Sequence, residues 1–214
     1  MVLENGYDEE SFGSISKGDS QPLSPGAITL LHSGIIYPAE RDPTALFIAL
    51  KRLLDSGEVK PGELKIRFRA SVHEELLMSL AMQHGIENVI ELCPPIAYRE
   101  ALQEMLRADG LLVIQATNCN AQIPAKIYEY LRAGRPIVAL TDPSGDTAGV
   151  LRAAGIDTLA RLDSVDEIAA LLPIFIAAVR HQQASLAEPR AVAAASRRGR
   201  AEALARLMDA CVEL

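Results

Sequence analysis

The chain has 214 residues, 49% of them hydrophobic and 23% charged, and a net charge of −7 at pH 7, which suffices for one α/β domain with a core of its own. The acidic balance excludes a general nucleic-acid binder, which needs a basic face against phosphates. Aromatic residues are 4% and Trp is absent, so the core must come mainly from Leu, Ile, Val and Ala.

Residues 1–26 are polar and rich in Gly, Ser and Pro and read as a lead-in. From Ala27 onward strands and helices alternate. Short apolar runs at 27–31, 64–68, 88–92, 110–114 and 136–140 predict buried strands, with a last edge strand at 157–161. Helical periodicity predicts helices over 44–54, 72–83, 98–107, 124–133 and 148–154, then two closing helices over 165–181 and 191–214. Apolar strands alternating with helices imply a doubly wound parallel sheet, a Rossmann-like α/β domain that binds ligands beyond the carboxyl ends of its strands. The expected organisation is a lead-in at 1–26, a ligand-binding domain at 27–190 and a closing helix at 191–214.

There is no G-x-G-x-x-G and no phosphate-binding P-loop motif, which removes the commonest dinucleotide and triphosphate readings. Cys93, Cys119 and Cys211 are odd in number and far apart, and His32, His73, His84 and His181 are scattered. Neither a disulfide framework nor a metal pattern follows. No apolar run approaches the ~20 residues of a membrane span, and residues 1–20 lack a signal-peptide core. The expected compartment is the cytoplasm, with the full-length protein able to sit at the inner membrane face.

A helix start carries unpaired N–H groups that a side-chain cap, water or an anion must satisfy. Asp42 before Pro43 caps the first helix; Ser71 with Glu74 and Ser164 with Glu167 read as capping boxes. Ser144, Asp146 and Thr147 stand ready at the short helix. Two starts lack a cap, Cys93–Ala97 and Gln122–Lys126. At the latter Pro124 takes the first helical position and Ile123 falls where a polar cap would be. The amides of Ala125 and Lys126 are then open to a diphosphate, unless Asn118, Asn120 or water satisfies them. Lys126 and Glu129, three apart, share a helix side as either a solvated ion pair or a cation by phosphate and a carboxylate by ribose. Ile127, Tyr130 and Leu131 face the sheet, and Gly134 before Pro136 ends the helix.

The stretch IPAKIYEYLRAGRPIVAL at 123–140 resembles glycosyltransferase family 4, the group 1 glycosyl transferases, in which a Lys-x-x-Glu-Tyr-Leu run precedes Gly-x-Pro and a strand. VLENGYDEESF at 2–12, His32-Ser33-Gly34 with Arg41-Asp42-Pro43, and ADGLLV at 108–113 are similar, in order, to further segments of that family. The resemblance implies the C-terminal half of a GT-B fold binding a nucleotide-diphosphate sugar for retaining transfer, with no cofactor and no obligatory metal. It implies Glu129 on the donor ribose, and Ile123, Pro124, Ala125 and Lys126 around the diphosphate. Gly34 and Arg41 face the phosphates, and the start around Pro95 and Ile96 lies at the nucleobase. Arg69 is either within reach of a phosphate or a solvated surface group.

Two positions depart from the family: Ala121 stands where a Glu usually contacts the sugar, and Ile35 where an Arg follows the glycine. No side chain reads as a general base, so no catalytic residue is named. The expected partner besides the donor is an N-terminal acceptor domain that the chain lacks. The closing helix is expected to return to it, leaving apolar surface exposed or paired with a second copy. The rival readings are a non-catalytic GT-B-like binding or scaffold domain and a nucleotide-sugar 2-epimerase relative.

Overall fold

The computed structural model describes residues 2–13, 15 and 21–212. Six strands form its sheet: β1 Ile28–Ser33, β2 Leu64–Arg69, β3 Ile90–Cys93, β4 Gly110–Ile114, β5 Ile137–Leu140 and β6 Leu159–Ala160. Every neighbouring pair is parallel, in the order β3-β2-β1-β4-β5-β6. The doubly wound parallel sheet predicted from the apolar runs is therefore present.

The helices are α1 Glu9–Gly13, α2 Thr44–Ser56, α3 Glu74–His84, α4 Tyr98–Arg107, α5 Lys126–Ala133, α6 Asp146–Ala153, α7 Val165–Arg180, α8 Pro189–Ala194 and α9 Arg197–Val212. Alternate strand residues feed two cores. Leu30, Leu112 and Val138 pack with Leu46 and Leu50 of α2, Leu77 of α3 and Phe175 of α7. Leu31, Leu111 and Ile137 pack with Leu102 of α4, Ile127 and Tyr130 of α5 and Leu151 of α6. A strand buried on both faces must be apolar at both parities, and all five residues of β4 are buried.

Three local expectations are corrected. Ser71 caps nothing: its hydroxyl is buried without a partner, and α3 starts at Glu74. The reason is backbone conformation. Ala70 and Val72 flank Ser71 at φ 57° and 68°, left-handed values that cannot start a helix. At α7 Ser164 does accept from the Glu167 amide, but the Glu167 carboxylate turns to the backbone and Nε of Arg161, so the box is only half formed. The closing helix is broken at Ala195 and Ser196. Tyr7 N–H donates to Ala195 O, Arg197 N–H donates to Tyr7 O, and the Ser196 hydroxyl accepts from Gly199 N–H to open α9.

Part of the 1–26 lead-in is docked rather than free-running. Tyr7 and Phe12 are buried in the second core, and Glu9 holds Arg132 of α5 at 2.7 Å. Residues 1, 14 and 16–20 of that lead-in, and 213–214 of the closing helix, lie outside the described residues. No helix among the described residues is long and apolar enough to cross a membrane.

Gly110 opens β4 where no side chain fits: an added Cβ lies 2.8 Å from Leu30 Cδ2 and 3.2 Å from Phe175 Cε1. Gly110→Ala is expected to cost about 1–3 kcal/mol by overpacking, read as a lower urea midpoint at unchanged m.

Candidate functional site

β1 and β4 are neighbours, but α2 leaves β1 toward one face and α5 leaves β4 toward the other. Loops that leave neighbouring strands for opposite faces make this carboxyl edge the topological switch point, where such sheets bind ligands. Gly34 stands on the β1 side with φ 118°. Its N–H donates to Arg69 O at 2.8 Å, and Ile36 N–H donates to Ser71 O at 3.0 Å. Arg41 folds back over this turn, donating to Ile35 O at 3.0 Å with its guanidinium 5.1 Å from the Tyr37 ring centre.

On the β4 side, buried Gln115 donates from Nε2 to Cys119 O and Gln122 O, both at 2.9 Å, and so shapes the loop ahead of α5. Ala116 N–H donates to Glu40 O and Asn118 Nδ2 to Ala39 O, which laces the two loops together. Asp109 anchors the other end of this strand pair, accepting from Thr29 N–H at 2.8 Å.

The start of α5 carries no side-chain cap. The first turn is tight: Ile127 N–H donates to Pro124 O and Tyr128 N–H to Ala125 O. Asn118 is committed to Ala39, and Asn120 donates to Asp142 at 2.7 Å. Among the described residues no protein group accepts from the amides of Ala125 or Lys126. Helix Lys126–Ala133 begins two residues later than the predicted 124, and Ile123 and Pro124 are half-buried ahead of it.

Lys126 reaches from α5 to the end of β1. Its Nζ lies 3.0 Å from His32 Nε2, and a Cβ on Gly34 would lie 3.2 Å from it. Burial, then the nearby Arg41 charge, lowers its pKa to about 7 against the pull of Glu129. Glu129 accepts from Tyr98 Oη at 2.7 Å, so its carboxylate is turned toward the start of α4 at the same edge. Burial and that carboxylate push the Tyr98 phenol up to about 12. Tyr130, buried below, accepts from Ser33 N–H at 2.9 Å and ties α5 to the end of β1.

The remaining candidates divide. Pro95 is exposed and Ile96 half-buried ahead of α4. The start there is not open throughout, because Glu100 Oε2 accepts from the Ala97 amide at 3.2 Å. Arg69 is neither a solvated group nor a free phosphate ligand. Its Nε and Nη2 bind Glu104 at 2.8 and 2.6 Å, and its Nη1 binds Pro94 O. Arg67 joins Glu104 from the other side at 3.1 Å. A cleft of about 350 Å3 lies at the same carboxyl edge between the starts of α2 and α7, lined by Gln115, Ala116 and Thr117 after β4 and by Ile48, Leu162 and Val165 among others; none of the donor-site candidates from the sequence lines it.

No family model matches the chain, and no curated protein matches its sequence. Solved structures do match its fold. Anabaena Alr3699/HepE, solved in complex with UDP, aligns with 98% of this chain and 57% of its own at TM-score 0.74 and 16% identity. The fold is one half of GT-B. The pneumococcal O-GlcNAc transferase GtfA, in complex with UDP and GlcNAc, aligns over 91% of this chain and 38% of its own at TM-score 0.59 and 14% identity. The α,α-trehalose 6-phosphate synthase from Burkholderia multivorans aligns over 88% and 43% at TM-score 0.61 and 14% identity. The GT-B half thus spans roughly two fifths to just over half of these chains.

The roles of three residues at this GT-B edge do not follow from the sequence reading. His32 opens the His32-Ser33-Gly34 segment of the resemblance but carries no role of its own there, though a polar residue closing the apolar run AITLL is a signal. Gln115, directly after the apolar GLLVI, carried the same signal. Nothing local marked Tyr98, because its partner lies 31 residues away.

Two outcomes follow. Glu104 is 7% exposed between two arginines, so Glu104→Ala leaves uncompensated buried charge; a loss of about 3–5 kcal/mol in unfolding free energy is expected. Lys126 is depressed from 10.5 to about 7 in the fold, so the unfolded chain binds more protons between those values. Stability is therefore expected to rise with pH from about 7 toward 10.5, with the penalty fully present below 7. In Lys126→Met that rise should disappear from urea midpoints measured across this range.

Proposed function

We propose that the chain is the donor-binding, C-terminal half of a GT-B glycosyltransferase, taking a nucleotide-diphosphate sugar for retaining transfer. The observation carrying this is the start of α5. Among the described residues no protein group accepts from the Ala125 and Lys126 amides, and the Lys126 side chain reaches His32 at the β1–β4 switch point. A helix start of this kind binds anions through its N–H groups and its dipole.

In this reading the diphosphate lies along the Ile123–Pro124–Ala125 backbone, between Lys126 and Arg41, with Gly34 leaving room. Glu129 takes the ribose hydroxyls, and the backbone at Pro95 and Ile96 holds the base. These groups stabilise the leaving diphosphate electrostatically as the glycosidic bond breaks. No cofactor is required. Arg69 is left out, because Glu104 and Pro94 consume its donors. The acceptor would be supplied by a partner domain. In α9 the apolar Leu204, Leu207 and Met208 are exposed, which supports that helix as the return to such a domain. The expected setting is the cytoplasm.

Ala121, exposed in the loop before α5, supports the rival reading of a binding or scaffold domain that has lost sugar chemistry. Calorimetric titration with UDP and GDP separates the cases. UDP, the ligand named with HepE and GtfA, is expected to bind, and Glu129→Ala to weaken it on the order of ten- to a hundredfold, as loss of charged hydrogen bonds does. Binding untouched by that substitution favours the scaffold; no binding of either nucleotide removes the donor reading.

A further inference from the structure

His32 is completely buried in β1, and both of its ring nitrogens are engaged. Nδ1 lies 3.0 Å from the backbone oxygen of Leu112 in β4. A carbonyl oxygen only accepts, so Nδ1 must carry the proton. Burial, and the positive charges of Lys126 and Arg41, hold the ring's proton affinity well below its ordinary value, so the second nitrogen is bare. That bare Nε2 can only accept, and its partner at 3.0 Å is Lys126 Nζ. The sheet thus fixes the tautomer, and the tautomer fixes the amine.

We propose that His32 is a positioning residue whose bare Nε2 fixes the Lys126 amine over Gly34, so that this amine gains its proton together with a bound nucleoside diphosphate. The inference rests on the donor-site reading given above. The groups facing the amine are His32 from β1, Arg41 from the loop after β1, and Glu129 from its own helix, itself held by Tyr98 of α4. Burial and the like charge of Arg41 outweigh one carboxylate a turn away, so the amine's positive form, held in this buried position by the His32 acceptor, lacks a matching anion. A diphosphate on the Ala125 and Lys126 amides supplies it. Lys126 lies at about 7 without ligand, so the linkage is read above that value. Free diphosphate has already lost its last proton there, its second pKa being about 6. Tyr98, at about 12, stays protonated throughout.

The test has two limbs. UDP is titrated calorimetrically at pH 8 in buffers of different ionisation enthalpy, and affinity is followed from pH 7.5 to 9. Uptake of close to one proton is expected, with affinity falling by up to about tenfold per pH unit. His32→Phe keeps the ring and removes the acceptor, so Lys126 should swing to solvent. Proton uptake at pH 8 should vanish, and UDP bind roughly tenfold more weakly. His32→Gln, which retains an acceptor, should restore part of both. UDP binding with no proton uptake, or unchanged uptake in His32→Phe, overturns the inference while leaving the donor reading intact.

The second limb needs no ligand. Nitrogen-15 NMR of the whole chain is expected to show His32 in the Nδ1–H form from pH 6 to 8, and the Lys126 amine titrating near 7. In His32→Phe that midpoint should rise by at least one unit. A His32 ring that protonates in this range, or a Lys126 midpoint that ignores His32→Phe, overturns the positioning role. Failure of both UDP and GDP to bind overturns the donor reading and the proton linkage together.

Discussion

The close approach of the Lys126 amine to Gly34 and His32, across the junction of β1 and β4, is the contact on which the site depends. A Cβ at position 34 would lie 3.2 Å from Nζ, and the backbone there has φ 118°, which non-glycine residues rarely adopt. The approach also needs α5 to lie against the end of β1, and Tyr130 secures that by accepting from Ser33 N–H. Gln115 sets the path of the loop that delivers α5, and Ala39 and Glu40 tie that loop to the one leaving β1. The site is a consequence of two loops leaving neighbouring strands for opposite faces and being stitched together at their mouths.

Two groups of buried cations sit at the same sheet edge, and their surroundings distinguish their roles. Arg67 and Arg69 share Glu104, and Arg67 also reaches Glu91, so each guanidinium meets a carboxylate. Such a cluster is closed: its donors are used and its charge is balanced, and it fixes α4 against β2. Lys126 meets a neutral imidazole instead, with Arg41 nearby and the carboxylate of Glu129 committed to Tyr98. A buried cation without an anion in contact is costly. Beside the Ala125 and Lys126 amides, from which no protein group accepts among the described residues, that imbalance is what the proposed diphosphate would relieve.

Much of the architecture was legible along the chain. GLLVI and PIVAL are apolar at both parities, so they had to be strands covered on both faces, and they are β4 and β5. Ile123 ahead of Pro124 offered no polar cap, and α5 starts without one. Capping residues were less dependable when the backbone beside them was strained. Ser71 satisfied the sequence pattern of a cap but lies between two left-handed residues and faces inward. The closing helix read as continuous because nothing local announces that Tyr7, nearly the whole chain away, breaks it by pairing with Ala195 and Arg197.

Periodicity, strand polarity and the missing cap are properties of neighbours along the chain, and the sequence alone therefore determined the sheet type, the sheet-facing side of the helix at 124–133 and its start without a polar cap. The partners of charged and polar side chains are set by elements distant in sequence. Only the tertiary structure decided that Arg69 belongs to Glu104, that Glu129 is held by Tyr98, and that His32 stands against Lys126. The physical reason is the strand order. Neighbouring β1 and β4 are separated by two further strands along the chain, so the groups that meet at their ends are joined by topology alone.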